Sequence, residues 1–196
     1  MSNYHHGNLR NAVIERAIAV IGADGVEALS LRKIAKDLGV SHAAPARHFK
    51  AKSDLLAAIV ADAYAELTKS VLAASNAAGK SQPIRRLNLM AQGTIFWALE
   101  NKAKFSAMMN PDVSRFADEQ LKSSLREFAQ VIADALSDAQ QHGFRKNVSG
   151  EVLLIYAVGA AQGVSAVLTD DLLGSVIGVE QTATLVEAIA DQIVPA

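Results

Sequence analysis

The chain has no cysteine. Disulfides, thiolate zinc sites and cysteine nucleophiles are thereby excluded, and a reducing compartment fits. No segment alternates apolar and polar residues with the period of two that a strand requires, and no internal repeat is visible, so the fold is predicted to be all-α. The opening Met1-Ser2-Asn3-Tyr4-His5-His6-Gly7 has no signal-peptide character, and a cytoplasmic location is expected. His5 and His6 form a pair with no His/Glu pattern at helical spacing, so no metal site is predicted. No Gly-rich phosphate loop occurs, which leaves no cofactor to expect. In the second half His142 alone could act as a general base and it sits at a Gly143 helix end, so a nucleophilic triad is not expected either.

What the chain has in abundance is apolar surface. Hydrophobic residues make up 51% of the 196 positions and the mean hydropathy is +0.17. That is more than one small fold hides, which favours an oligomer. The net charge of −1 conceals an uneven distribution. Residues 1–54 hold eight Lys/Arg against five Asp/Glu, a net of +3, and four of the five histidines, whereas residues 55–196 carry a net of −4. A basic head on an acidic body suits a protein that meets nucleic acid at one end.

The most specific pattern lies in that head. Ser30 can cap a short helix whose Leu31, Ile34, Ala35 and Leu38 share one face, and Gly39 stands where this helix must end with φ > 0. Ser41 can cap a second helix, and the small Ala35 lets the two cross closely. This is the layout of a helix-turn-helix. Arg32, Lys33, Lys36, Arg47, Lys50 and Lys52 surround it, and phosphates are their natural partner. On spacing alone a solvated basic face remains the competing reading, and His48 beside Phe49 fits either a phosphate contact or packing at the helix end.

Ahead of this unit, Leu9, Val13, Ala17 and Val20 predict a helix of about four turns closed by Asp24-Gly25. After it, Ser53-Asp54 opens a long helix with Leu56, Ile59, Val60, Ala63, Leu67 and Val71 on one face, ending in the loop 76–81. Pro83 suits the first turn of the next helix, which runs through Met90, Phe96 and Trp97. A short segment, 104–109, and an amphipathic helix bearing Leu121, Leu125, Phe128, Ile132 and Leu136 follow, the latter ended by Gly143. Val152–Leu168 is almost wholly apolar, yet it is short of the roughly 20 residues a bilayer requires. It contains Gln162 and is flanked by Glu151, Asp170 and Asp171 rather than basic anchors, so no membrane span is predicted. Such a helix must be buried on all sides, and a second chain is the expected cover, with Gly159 and Gly163 allowing close approach. A last amphipathic helix is expected from Thr184 to Val194.

The residues resemble those of the TetR family of transcriptional regulators. Leu31-Arg32-Lys33-Ile34-Ala35, Leu38-Gly39-Val40-Ser41, Arg47-His48-Phe49 and Lys52 match the family's helix-turn-helix pattern in order and spacing. Weaker similarity extends over Phe96–Glu100, Phe105–Met109 and Ala161–Val164. The resemblance implies an N-terminal three-helix DNA-binding head, residues 1–68, joined by a long helix to an effector-binding and dimerisation domain, residues 69–196. It implies a homodimer that binds a double-stranded operator and responds to a small, largely apolar effector, usually as a repressor. Arg32, His42, Ala43, Ala44 and Arg47 are then the candidates near base edges, and Ser41, His48, Lys50 and Lys52 those on phosphates. Met90, Phe96, Trp97, Phe105, Met108, Met109, Phe116 and Phe128 are candidates to line an effector cavity, although core is the default for such residues. Tyr156, Val158, Gly159, Gln162, Gly163, Leu185 and Ile189 are the candidate dimer residues. Two positions depart from the pattern: Ala46 replaces a tyrosine that reaches phosphate, and Gln162 a histidine usual in one subgroup. The alternative class is an all-helical ligand-binding protein or enzyme with no DNA role.

Overall fold

The computed structural model describes residues 9–79, 81–178 and 183–195; His5, His6 and Lys80 of the predicted loop lie outside the described residues. Among the described residues every regular element is helical. They group into two compact units, and the long helix α4 (Lys52–Ser75) runs from one into the other. The first unit takes the chain through Ala63 together with Lys102–Ser124, and the second takes Tyr64–Asn101 together with the chain from Leu125 onward.

In the first unit, α1 (Leu9–Asp24) buries the predicted stripe of Val13, Ala17 and Val20. Helix α2 (Leu31–Asp37) starts at Ser30, whose hydroxyl accepts the Lys33 N–H at 3.4 Å. Its end follows the chemistry of Gly39, which adopts φ +66. The Gly39 N–H donates to the Lys36 carbonyl at 3.1 Å and the Val40 N–H to that of Ala35 at 3.0 Å. These paired bonds are a Schellman motif, and they turn the chain sharply into α3 (Ala43–Ala46). Ile34 and Ala35 are fully buried beneath the turn. Pro45 is also buried, in a first turn where its missing N–H costs nothing.

Ser41 does not cap α3. His42, at φ −58 and ψ −25, is already helical and occupies the cap position without a side-chain bond, so Ser41 contributes its main-chain carbonyl to the Ala44 N–H at 3.0 Å. Phe49 then enters the core under the Arg10 guanidinium, which lies 5.6 Å from its ring centroid. Asp54 fastens the start of α4 by accepting the N–H groups of Lys50 and Ala51 at 2.9 and 3.2 Å.

Helix α6 (Lys102–Met108) belongs to this first unit and packs on α1, with Phe105, Ala107 and Met108 buried. A Cβ at Gly22 would stand 3.4 Å from that of Ala103, which shows how near the two helices run.

In the second unit, α5 (Pro83–Glu100) approaches the end of α4 so closely that a Cβ on Gly93 would lie 2.9 Å from the Ala74 Cβ. Helix α7 (Glu119–Gln141) ends at Gly143, φ +113, in a second Schellman motif: Gly143 N–H to Gln140 and Phe144 N–H to Ala139. Helix α8 (Gly150–Thr169) and the last helix α10 (Ala183–Ile193) pack on α5, where Ile95, Leu168 and Val186 form a buried cluster. A short α9 (Asp171–Ile177), not foreseen from the sequence, is capped by Asp170, whose carboxylate accepts the Leu172 and Leu173 N–H groups.

Within the single chain α8 is not buried on all sides. Leu153, Ala161, Ser165 and Leu168 are covered, whereas Ile155 is 75% exposed and Val152, Tyr156 and Val167 are also open. By length and composition alone this helix could cross a membrane. Leu172 (71% exposed), Leu173 and Val176 (74% exposed) of α9 add further open apolar surface.

Candidate nucleic-acid interface and body cavity

The head presents its candidate residues to solvent. Arg32, Ser41, His42, Ala43, Arg47, His48 and Lys50 are exposed, and Ala44 and Lys52 are half-buried. Arg32, Lys33, Lys36 and His42, with Ser30 and Val40, line one surface depression along α2 and the turn. Lys36, one of the six cations that the sequence places around the turn, shares this concavity with Arg32.

The cations divide by what holds them. Arg16 is bonded to Asp37 at 2.7 Å, Lys33 to Asp24 at 3.1 Å, and Lys52 to the Glu27 carboxylate at 3.5 Å and its main-chain oxygen at 3.2 Å. Arg32, Lys36, Arg47 and Lys50 have no side-chain hydrogen-bond or ion-pair partner among the described residues. An exposed pair contributes only about 0–1 kcal/mol, which leaves Lys33 and Lys52 easily redirected. His48 is exposed with its ring 6.5 Å from that of Phe49, and Ala46 is exposed on the last residue of α3.

The second unit holds an apolar cavity. Leu87, Met90, Ala91 and Thr94 of α5 form one wall, Phe128 and Ile132 of α7 another, Ala157, Val158, Ala161 and Gln162 of α8 a third, and Ile193 and Val194 close the end. The cleft has about 390 Å³ of atom-free space but leaves only about 20 Å³ for the centre of a water-sized sphere. That is room for about one water. Its polar groups are few. The Thr94 hydroxyl donates to the Met90 carbonyl at 3.0 Å, and Gln162 hydrogen-bonds the side chain of Tyr64. Tyr64 is buried, and its ring lies 5.7 Å from that of Phe128. Burial pushes the Tyr64 phenol above its ordinary pKa of 10.0, against the opposing Gln162 bond, so the group stays a neutral phenol at physiological pH.

Of the eight residues expected to line a cavity, Met90 and Phe128 do so in this unit. Phe96 borders the Ile95 cluster instead, and Trp97 is buried outside the lining. Phe105 and Met108 lie in the first unit, because α6 packs its apolar face on α1. Met109 is exposed, and Phe116 lines a separate surface groove of the first unit with Val26, Lys52 and Leu56. Among the candidate dimer residues, Tyr156, Gly159 and Gly163 are on the open face of α8. Val158 and Gln162 line the cavity, and Leu185 and Ile189 pack against the Ile95 cluster. Sequence reasoning missed Tyr64, whose signal was a lone phenol in the apolar stripe of α4. It also missed the small aliphatic lining residues, which carry no signal distinguishing cavity from core.

Residues 13–59 match the family profile described as bacterial regulatory proteins, tetR family. The whole chain is similar in fold to a protein of unknown function from Rhodococcus sp. RHA1, at 25% identity with 98% of this chain and 97% of that one covered and a TM-score of 0.81. It is also similar to the TetR family transcriptional regulator PfmR from Thermus thermophilus, at 20% identity, 93% and 96% coverage and a TM-score of 0.71. A third similar structure is AibR in complex with isovaleryl coenzyme A and operator DNA, at 18% identity, 95% and 98% coverage and a TM-score of 0.73. A search of curated proteins finds no significant match. A three-helix head with a glycine-closed helix-turn-helix, the family match over that head and the shared all-helical body agree. Residues 13–59 therefore carry the head segment of the tetR family of bacterial regulatory proteins, and the chain as a whole shares the all-helical fold of these structures.

Proposed function

We propose that this chain is a DNA-binding transcriptional regulator, a repressor that works in the cytoplasm as a homodimer and leaves its operator when a small, largely apolar effector occupies the cavity of the second unit. The observation that carries this reading is the pair of unlike surfaces on one chain. The head offers Arg32, Lys36, Arg47 and Lys50 with no ion-pair partner among the described residues, and the second unit offers an apolar cavity with no ionised lining residue. DNA binding is assigned to residues 1–68 and effector binding with dimerisation to residues 69–196. AibR, whose structure contains both an acyl-coenzyme A and operator DNA, supports a design in which one chain binds both kinds of ligand.

Each α3 enters a major groove, with Arg32, His42, Ala43, Ala44 and Arg47 towards base edges and Ser41, His48, Lys50 and Lys52 on phosphates. The open apolar face of α8, with Tyr156, Gly159 and Gly163, is covered by the same face of a second copy rather than by lipid, because Glu151, Asp170 and Asp171 flank it. An effector that binds better to a conformation unsuited to the operator then lowers DNA affinity by mass action. Selection of bound fragments from the source genome, followed by footprinting, tests the reading. The expected footprint has two half-sites roughly 34 Å or a multiple of it apart. Failure to bind any duplex at low salt overturns it.

A further inference from the structure

The cavity's chemistry narrows the effector class. Apart from Thr94 and Gln162 its walls are apolar, and no ionised residue is part of them. Thr94 spends its hydroxyl proton on Met90, so it adds no free donor. Gln162 is the one lining side chain that carries an amide, and Tyr64 engages only part of it: an amide offers two N–H donors and an acceptor oxygen. Asn88, next to Leu87, donates at 2.8 Å both to the Asp191 carboxylate and to the Val194 carbonyl, so its amide protons are not offered to a ligand. An unpaired carboxylate or phosphate moved into such a site loses its hydration without gaining a cation.

Resting on the reading of the second unit as the effector domain, we propose that this cavity selects an uncharged ligand. The ligand has a slender hydrocarbon body and a single neutral hydrogen-bonding head, an amide, ketone, ester or alcohol, received by Gln162. The ionised acid of the same skeleton and its coenzyme A thioester are rejected. The room for about one water means that the walls part to admit it. Since α5, α7, α8 and α10 each contribute, binding adds an internal support shared by four helices.

Isothermal titration calorimetry on the full-length protein at neutral pH, with hexanamide, hexanoate, hexanoyl-coenzyme A and hexane as probes, tests this. Hexanamide is expected to bind at least tenfold more tightly than hexanoate or hexanoyl-coenzyme A. Gln162→Leu is expected to abolish the advantage of hexanamide over hexane while retaining hexane binding, which shows that the cavity is still formed. Ala161→Phe, which fills the cavity, is expected to block every probe. Hexanoate or the thioester binding as tightly as hexanamide overturns the proposal, as does binding of none of the four. The same titrations with operator DNA present separate the two readings. Hexanamide binding that depends on Gln162 without changing DNA affinity upholds the cavity's selectivity and defeats its role as effector site. DNA release by hexanoyl-coenzyme A alone does the reverse.

Discussion

The basic surface of the head and the apolar face of α8 are both open in the single chain, yet they are open for opposite reasons. Around the helix-turn-helix, carboxylates pair with Arg16, Lys33 and Lys52 and, among the described residues, leave Arg32, Lys36, Arg47 and Lys50 unmatched. On α8 no polar residue interrupts Val152, Ile155 and Tyr156, and the helix nonetheless keeps its cap bond at Ser149 and a regular course to Thr169. One surface lacks a counter-charge and the other lacks a cover. The difference teaches which partner each one takes: unmatched cations attract a polyanion at long range, whereas an apolar face of this size requires matching shape at contact.

Breaking the apolar side of this comparison should give the largest effect. Ile155→Glu places a charge on an exposed position, so the folded chain should tolerate it, but in a two-fold interface both copies bury an unpaired carboxylate. Dimerisation should weaken by about 3–5 kcal/mol or more, seen as monomer in sedimentation at micromolar concentration with an unchanged helical spectrum. A dimer as stable as the parent would remove α8 from the interface. On the basic side, Arg47→Ala should weaken specific operator binding by ~1–3 kcal/mol and relax base preference. Lys50→Ala should weaken all duplexes alike and lower the salt slope by about one; unchanged slopes in titrations at several salt concentrations would contradict a phosphate contact.

Ala46→Tyr sharpens the comparison by adding a donor to the basic surface. The position is exposed, so the ring needs no core space. Affinity should rise by roughly 0.5–1.5 kcal/mol, the net range for one hydrogen bond, equally on operator and non-specific DNA. Weaker binding in parallel titrations of the two would show that a small residue is required there. The smallest effect is expected from Glu27→Gln, which releases Lys52 from its carboxylate at 3.5 Å. Binding to every duplex should tighten by roughly 0.2–1 kcal/mol, the worth of an exposed pair, and a loss of affinity would mean that Glu27 holds Lys52 in its DNA-facing position.

Much of the helical plan was legible because local chemistry dictates it. Ser30, Gly39, Pro83 and Gly143 sit where caps and left-handed turns need those residue types, and the structure uses each of them so. Ser41 misled because its hydroxyl is competent to cap in any sequence, and only the early helical geometry of His42 removes the need. Side-chain placement was less legible for a different reason. Phe105, Met108 and Phe116 advertise apolar bulk, but which neighbour receives it depends on α6 docking on α1, a contact across some eighty residues of chain. Val158 and Gln162 read as an outward face when α8 is a featureless apolar run, and three-dimensional packing alone decides which flank meets α5.

The fit of Gly93 against Ala74 sets how force travels within the second unit. With 2.9 Å left for any Cβ, α5 has no slack against the end of α4 and is keyed to it like a tenon. The part of α4 in this unit, Tyr64–Ser75, contains neither glycine nor proline, so it has no hinge along about 18 Å of length. The wall of the cavity formed by Leu87, Met90, Ala91 and Thr94 is therefore backed within the second unit by a helix end that cannot give way, and a ligand pressing on that wall meets a fixed surface.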